Sequence, residues 1–151
     1  MSRFVAIQEA VFQRLRGSLE LSSRLASFRD SSGDNLQGPA IYDHVPQPSD
    51  GADNSWFPYI TVGDDSTEMW DTDTSRGMDT EITIHVWSRK RGRSQCKEIQ
   101  SVVYDLLHEH ALEVAGQDTV LCHHVFADTS QDPDGKTRHG VQRFRLVTDN
   151  V

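Results

Sequence analysis

The stretch Gly77-Met-Asp-Thr-Glu-Ile-Thr-Ile-His-Val-Trp-Ser-Arg89 decides how this chain is read. Thr80, Ile82, Ile84 and Val86 alternate with Glu81, Thr83, His85 and Trp87. A period of two is what a strand with one buried face needs. A basic turn, Lys90-Arg-Gly-Arg93, follows it. After the turn, Ile99, Val102, Val103, Leu106 and Leu107 recur at spacings of three and four, which makes one apolar stripe on a helix. Ser94 reads as the N-terminal cap of that helix, with Lys97 and Glu98 close behind. A half-buried strand followed by an amphipathic helix is a two-layer unit, and the other segments build onto it.

Upstream, Phe4, Ile7, Val11 and Leu15 predict a helix over 2–15 that Gly17 ends. Residues 19–28 predict a second, short helix with Leu21, Leu25 and Phe28 inward. Residues 30–35 are a turn cluster, and 40–45 a short strand stopped by Pro46 and Pro48. Residues 46–55 read as a polar loop, and 56–65 as a strand centred on Tyr59-Ile-Thr-Val62. Residues 66–76 read as an oversized polar hairpin loop, and loops of that length carry function or lack order. Met69 and Trp70 within it are an anchor pair for a partner, unless Trp70 folds back on its own sheet.

Downstream, 118–130 reads as a strand with Val120, Cys122, His124 and Phe126 on one side. Asp132-Pro-Asp-Gly135 is a tight turn, with Pro at its second position and Gly taking the positive φ. Residues 139–148 form the last strand. The order predicts an α+β fold: a mainly antiparallel sheet of four to five strands with helices packed on one face. A length of 151 residues fits one domain over 1–151 that needs no metal or disulfide staple.

A hydrophobic fraction of 36% is low for a self-sufficient core and suggests faces completed by neighbours. The formal charge of −8 opposes general attraction to nucleic acid. Cys96 and Cys122 read as buried thiols rather than a disulfide framework. The polar residues Gln8, Glu9, Gln13 and Arg14 interrupt the N-terminal apolar positions, so no signal peptide is read there. No apolar run is long enough to span a bilayer, so the expected setting is a cytoplasm, without a membrane.

Seven histidines raise a metal hypothesis. His108 and His110 are two apart on a helix, His123 and His124 adjacent on a strand, and neither pair shares a face, so no metal ligand is assigned. Asp43, Asp64 and Asp65 at strand ends are the candidates for a divalent cation in a nuclease or hydrolase, set against plain solvated loop charge. Asp134-Gly-Lys-Thr137 resembles the tail of a phosphate-binding loop but lacks the leading glycine and lies between strands. No catalytic or cofactor-binding residue is assigned. The cluster Arg89, Lys90, Arg91 and Arg93 is the concentrated positive patch, suited to phosphate or to an acidic partner.

Five segments in order, Ile41-Tyr-Asp-His-Val-Pro46, Phe57-Pro-Tyr-Ile-Thr-Val-Gly63, Ile82-Thr-Ile-His-Val-Trp-Ser88, Val103-Tyr-Asp-Leu-Leu-His108 and Asp132-Pro-Asp-Gly-Lys-Thr137, resemble the tail-completion family of tailed phages and gene transfer agents. That family is similar to the tail terminators of long-tailed phages. The likeness runs from about residue 4 to 148 and rests on order and spacing. It implies a structural protein rather than an enzyme: a homo-hexameric ring that caps the tail tube and docks to the head-completion or connector protein. It places the chain in the virion, at the head-proximal end of the tail, after assembly in the host cytoplasm. A neck or head-completion protein is the neighbouring alternative. The resemblance also implies that 66–76 orders on assembly. Six copies would carry about −48, six times −8, so that DNA passes through the ring without specific binding. The expected contact residues are Met69, Trp70, Arg89, Lys90, Arg91, Arg93, Asp134 and Lys136.

Overall fold

The computed structural model describes residues 2–30, 35–45 and 53–150. The turn cluster at 30–35 and the polar loop at 46–55 lie mostly outside them. Helix α1 spans Arg3–Arg16; the Ser2 side chain caps it by accepting from the Val5 amide at 3.1 Å. Its buried stripe is Ala6, Ile7, Ala10, Val11 and Leu15, joined by Phe12. Helix α2 is only Leu19–Arg24, capped by Ser18, with Leu21 fully buried.

The expected helix over 19–28 is therefore too long. Beyond Arg24 the chain finds sheet-like partners instead: the Ala26 amide donates to Pro58 O, and Ala26 O accepts from Ala40. Ser27–Arg29 is strand β1, antiparallel to β2 (Asn35–Pro39) in a small two-stranded sheet. The strand expected at 40–45 is reduced to β3, Ile41–Tyr42. A single 3-10 turn, Asn54–Trp56, leads into the main sheet.

That sheet holds β4 (Tyr59–Met69), β5 (Gly77–Ser88), β6 (Gln117–Gln131) and β7 (Arg138–Asn150) in the order β3-β4-β5-β7-β6. It is mixed: β3 runs parallel to β4, and the other three pairings are antiparallel. The alternation read in β5 is observed. Met78, Thr80, Ile82, Ile84, Val86 and Ser88 are buried, while on the other face Glu81 is exposed, His85 and Trp87 are half-buried and Thr83, against the alternation, is buried as well. Helix α3 (Ser94–Leu107) lays Cys96, Ile99, Val102, Val103 and Leu107 into the same core cluster as Ile82, Ile84, Val86 and Phe144. Full burial of each such aliphatic stabilises by about 1.5–3 kcal/mol. Gly140 allows β7 to approach α3, because a Cβ there would stand 2.6 Å from Cys96 Sγ and from Gln100 Nε2.

Three further expectations change. The cap of α3 is Arg93, without a side-chain bond, and Ser94 is the first helical residue. Ser88 bridges instead, its hydroxyl donating to Gln95 Oε1 at 2.5 Å. The hairpin loop is shorter than 66–76. Strand β4 continues past a bulge between Gly63 and Ser66, and Ser66, Thr67, Glu68 and Met69 pair with Glu81, Thr80, Asp79 and Met78. The third change is in β6, whose simple alternation is broken by irregularities at Thr119/Leu121 and His124/Phe126. Cys122 is buried and His124 half-buried, whereas Val120 and Phe126 are exposed. The turn at Asp132-Pro-Asp-Gly135 is as read: Gly135 has φ 73°, its amide donates to Asp132 O, and Asp132 N donates to Thr137 O.

Candidate interaction surfaces

The eight residues expected to make contacts fall at opposite ends of β5, which is roughly 36 Å long at 3.3 Å per step. Met69 and Trp70 lie beside Met78 and Gly77 at its start. Met69 is 60% exposed and Trp70 40%. Trp70 folds back part-way: its amide donates to Gly77 O at 2.9 Å, and its carbonyl oxygen and ring together occupy the space a Cβ at Gly77 would fill. Glu68, Asp71 and Asp73 make this end acidic, with Arg76 paired to Asp71 at 3.1 Å, while Asp64 and Asp65 sit at the bulge midway along the β4–β5 pairing.

At the other end the structure joins the basic turn to the tip of the β6–β7 hairpin. Arg89 donates from Nε to Thr137 Oγ1 and from Nη1 to Asn54 Oδ1, both at 3.3 Å, and its guanidinium lies 4.2 Å from the Phe57 ring centre. Arg89 therefore fastens this end together. Asp134 builds the tip: its carboxylate accepts from the Thr137 amide and hydroxyl and from the Lys136 amide at 2.7–2.8 Å. Those bonds hold its pKa down at about 2. Lys90, Arg91, Arg93 and Lys136 are exposed, and the first three make no side-chain ion pair among the described residues.

Sequence reasoning missed a row of rings across the sheet. Tyr59 stacks near Trp87, and Trp87 lies on His139 at 3.8 Å between ring centres. His139 Nε2 is 2.7 Å from His85 Nδ1, and His85 Nε2 is 3.1 Å from Asp64 Oδ2. Burial, then the neighbouring His85, holds the His139 pKa below its ordinary value. A recess of about 490 Å³ beside this row is lined by Asp43, His44, Asp64 and His85 among others; Asp65 is not part of it. The signal was the cross-strand pairing of Trp87 with His139, visible only once the register is known.

The histidines read as scattered also meet in part. The His124 amide donates to His108 Nδ1 at 3.0 Å, and the His108 ring centre is 5.6 Å from that of His123. Among the described residues no group of three or more His, Cys, Asp or Glu has the arrangement of a metal site. Cys96 and Cys122 are buried, which pushes both thiols up to about 11.

A groove of about 610 Å³ separates α3 from β6. Tyr104, Asp105, His124, Asp128 and Gln142 are among its lining residues. Gln142 is 1% exposed, and its Oε1 has no hydrogen-bond partner; nor has the buried Nε2 of His124. Gln142 Nε2 donates to Gln100 O at 3.0 Å, and Gln100 Nε2 to Asp128 O at 3.0 Å.

None of these surfaces is a built catalytic centre, and comparison with known proteins agrees. Along the sequence, the chain is 31% identical over 94 residues to tail completion protein gp17 of Bacillus phage SPP1, covering 62% of this chain and 69% of that one. The solved structure of SPP1 gp17 superposes with a TM-score of 0.54 at 25% identity, over 93% of this chain and 87% of that chain. A chain from the virion of a native gene transfer agent particle has the same fold, with a TM-score of 0.76 at 22% identity over 99% and 98% of the two chains. The profile of the family described as tail completion protein gp17 matches residues 9–149, nearly the whole chain. The chain belongs to that family of structural tail-completion proteins, virion components and not enzymes.

Proposed function

We propose that six copies of this chain close a ring on the finished tail tube and offer its other side to the head-completion or connector protein. The observation that carries this reading is the chemical contrast between the two ends of one strand. An acidic end bearing Met69 and Trp70 and a basic end bearing Lys90, Arg91, Arg93 and Lys136 suit two different neighbours. Arg89 and Asp134 contribute by holding the basic end in shape. We take the chain as one domain, because one core cluster runs from α1 to β7. The helices cover one face of a mainly antiparallel sheet, and the opposite face, with Trp87, His139, Arg143 and Arg145, meets neighbours or the channel. Net negative charge lets DNA pass without specific binding.

Electron microscopy of particles made without the chain tests the reading. Tails of uncontrolled length, or tails detached from heads, are expected. Normal tails joined to heads would overturn it. Co-sedimentation of the protein with tail tubes, and not with empty heads, separates it from a head-completion role.

A further inference from the structure

We propose that the basic end of this chain, the turn Lys90–Arg93 with Lys136 and Arg138 beside it, holds the phosphate backbone of duplex DNA without reading its sequence. Two separate segments build the patch. Strand β5 runs into the turn, β7 begins at Arg138, and Ser88 pairs with Arg138 across the two strands. Arg89 ties the turn to the hairpin tip through Thr137. Arg138 lies along the tip, its Nη1 donating to Lys136 O at 2.7 Å. Lys90, Arg91, Arg93 and Lys136 are exposed and make no side-chain hydrogen bond or ion pair among the described residues. Long cationic side chains on a fixed base, without carboxylate partners, are what phosphate contacts use.

Two features favour phosphate over an acidic protein. The carboxylates at this end, Asp53, Asp132 and Asp134, are half as many as the six cations Arg89, Lys90, Arg91, Arg93, Lys136 and Arg138. Two of the three already serve the chain itself: Asp134 accepts from the Lys136 and Thr137 amides, and Asp53 from the Ser55 amide. The second feature is the lack of an apolar anchor. Among the described residues, the exposed large apolar side chains all lie outside the turn and the tip, with Met69 and Trp70 at the opposite end of β5. Protein interfaces centre on buried apolar groups, whereas DNA-binding surfaces are more polar and more positive. The net charge of −8 does not cancel the patch. The acidic end lies roughly 36 Å away along β5, and at physiological salt exposed charges more than about 8 Å apart are largely screened. The choice of duplex DNA among polyanions rests on the proposed ring, through which DNA passes.

Fluorescence anisotropy of the full chain with two labelled duplexes of unrelated sequence tests the patch. Both should bind equally, with log K falling against log salt at a slope of about −3 to −4, as about four phosphate contacts require. Lys136→Gln should reduce that slope by about one, whereas Arg76→Gln, the same loss of charge at the acidic end, should leave it unchanged. Lys90→Gln/Arg91→Gln/Arg93→Gln should weaken binding at about 50 mM salt at least about tenfold. Every altered side chain is exposed, so each variant should keep the native thermal midpoint. Absence of salt-dependent binding by the native chain would overturn the proposal, and so would a slope that the triple variant leaves unchanged. An equal loss from Arg76→Gln would trace binding to overall charge and overturn it too. Binding of polyglutamate in place of duplex DNA would assign the patch to an acidic protein instead. Each of these failures leaves tail completion standing, because that reading is decided by the particle microscopy above.

Discussion

The Trp87 indole lies on the His139 imidazole with ring centres 3.8 Å apart and planes 7° from parallel. The two residues face each other across the β5–β7 register, and His139 in turn reaches His85 Nδ1. A ring held this way is most stable uncharged, since burial and the neighbouring His85 both oppose a second positive charge.

That arrangement predicts acid sensitivity. The folded-state pKa of His139 lies below its ordinary 6.5, so the unfolded chain binds more protons as pH falls. The stabilisation is fully present above about pH 6.5 and is lost as pH falls through the folded value. His110 and His124 are shifted the same way, chiefly by burial, and add to the slope. Urea denaturation at about pH 7.5 and about pH 5.5 should show lower stability at the lower pH. His139→Gln should narrow that difference without abolishing it. An unchanged difference would place the proton uptake elsewhere.

Close approach at two glycines predicts overpacking. A Cβ at Gly140 would press on Cys96 and Gln100, and one at Gly77 would stand 2.3 Å from the Trp70 carbonyl oxygen and 2.7 Å from the Trp70 ring. Gly140→Ala and Gly77→Ala should each destabilise by about 1–3 kcal/mol in urea denaturation. Gly63 has open space within 4 Å, so Gly63→Ala is the control and should stay within about 0.5 kcal/mol.

The hairpin tip depends on a single carboxylate. Asp134 Oδ1 accepts from both the Lys136 and the Thr137 amides, and Asp134→Ala removes that shared acceptor. Hydrogen exchange at those two amides should accelerate, while the amides of Ile82 and Ile84 in β5 should not change. Asp134→Asn keeps an Oδ1 for both amides and loses only the Oδ2 that accepts from the Thr137 hydroxyl, so exchange at the two amides should stay closer to native than in Asp134→Ala. The native tip should also loosen in strong acid: the carboxyl pKa is lowered from 3.8 to about 2, so its contribution is present above 3.8 and lost as pH falls through about 2.

What the sequence made legible was local. The period of two in β5, the apolar stripe of α3 and the Asp132–Gly135 turn each lie within a short window, and each is observed. What it hid depends on pairing between distant strands. The irregularities in β6 move Phe126 to the exposed side, and no local pattern marks where β7 imposes them. Extension of β4 to Met69 follows from its register with β5, because Ser66, Thr67 and Glu68 carry no apolar signal of their own. Likewise Asp134 and Arg89 read as free charges until their partners, Thr137 and Asn54, are brought beside them. The period of two puts Gln142 on the face of Phe144 and Leu146, so its burial follows the local pattern, whereas the missing partner of its Oε1 depends on how β7 meets α3.

Gln142 predicts an uncommon mutational outcome. A buried glutamine normally destabilises when truncated, yet here one of its two polar atoms lacks a partner. Gln142→Leu keeps most of the volume, removes the unsatisfied acceptor, and sacrifices the 3.0 Å bond from Nε2 to Gln100 O. Losing the bond costs about 1 kcal/mol, and relief of the unpaired acceptor offsets a similar amount. The urea midpoint of Gln142→Leu should therefore stay within about 1 kcal/mol of native. Gln142→Ala leaves a void beside Gln100 and should lose about 2 kcal/mol or more. A Leu variant as damaged as the Ala variant would mean that the amide–Gln100 bond, and not packing, secures this part of β7 to the helix.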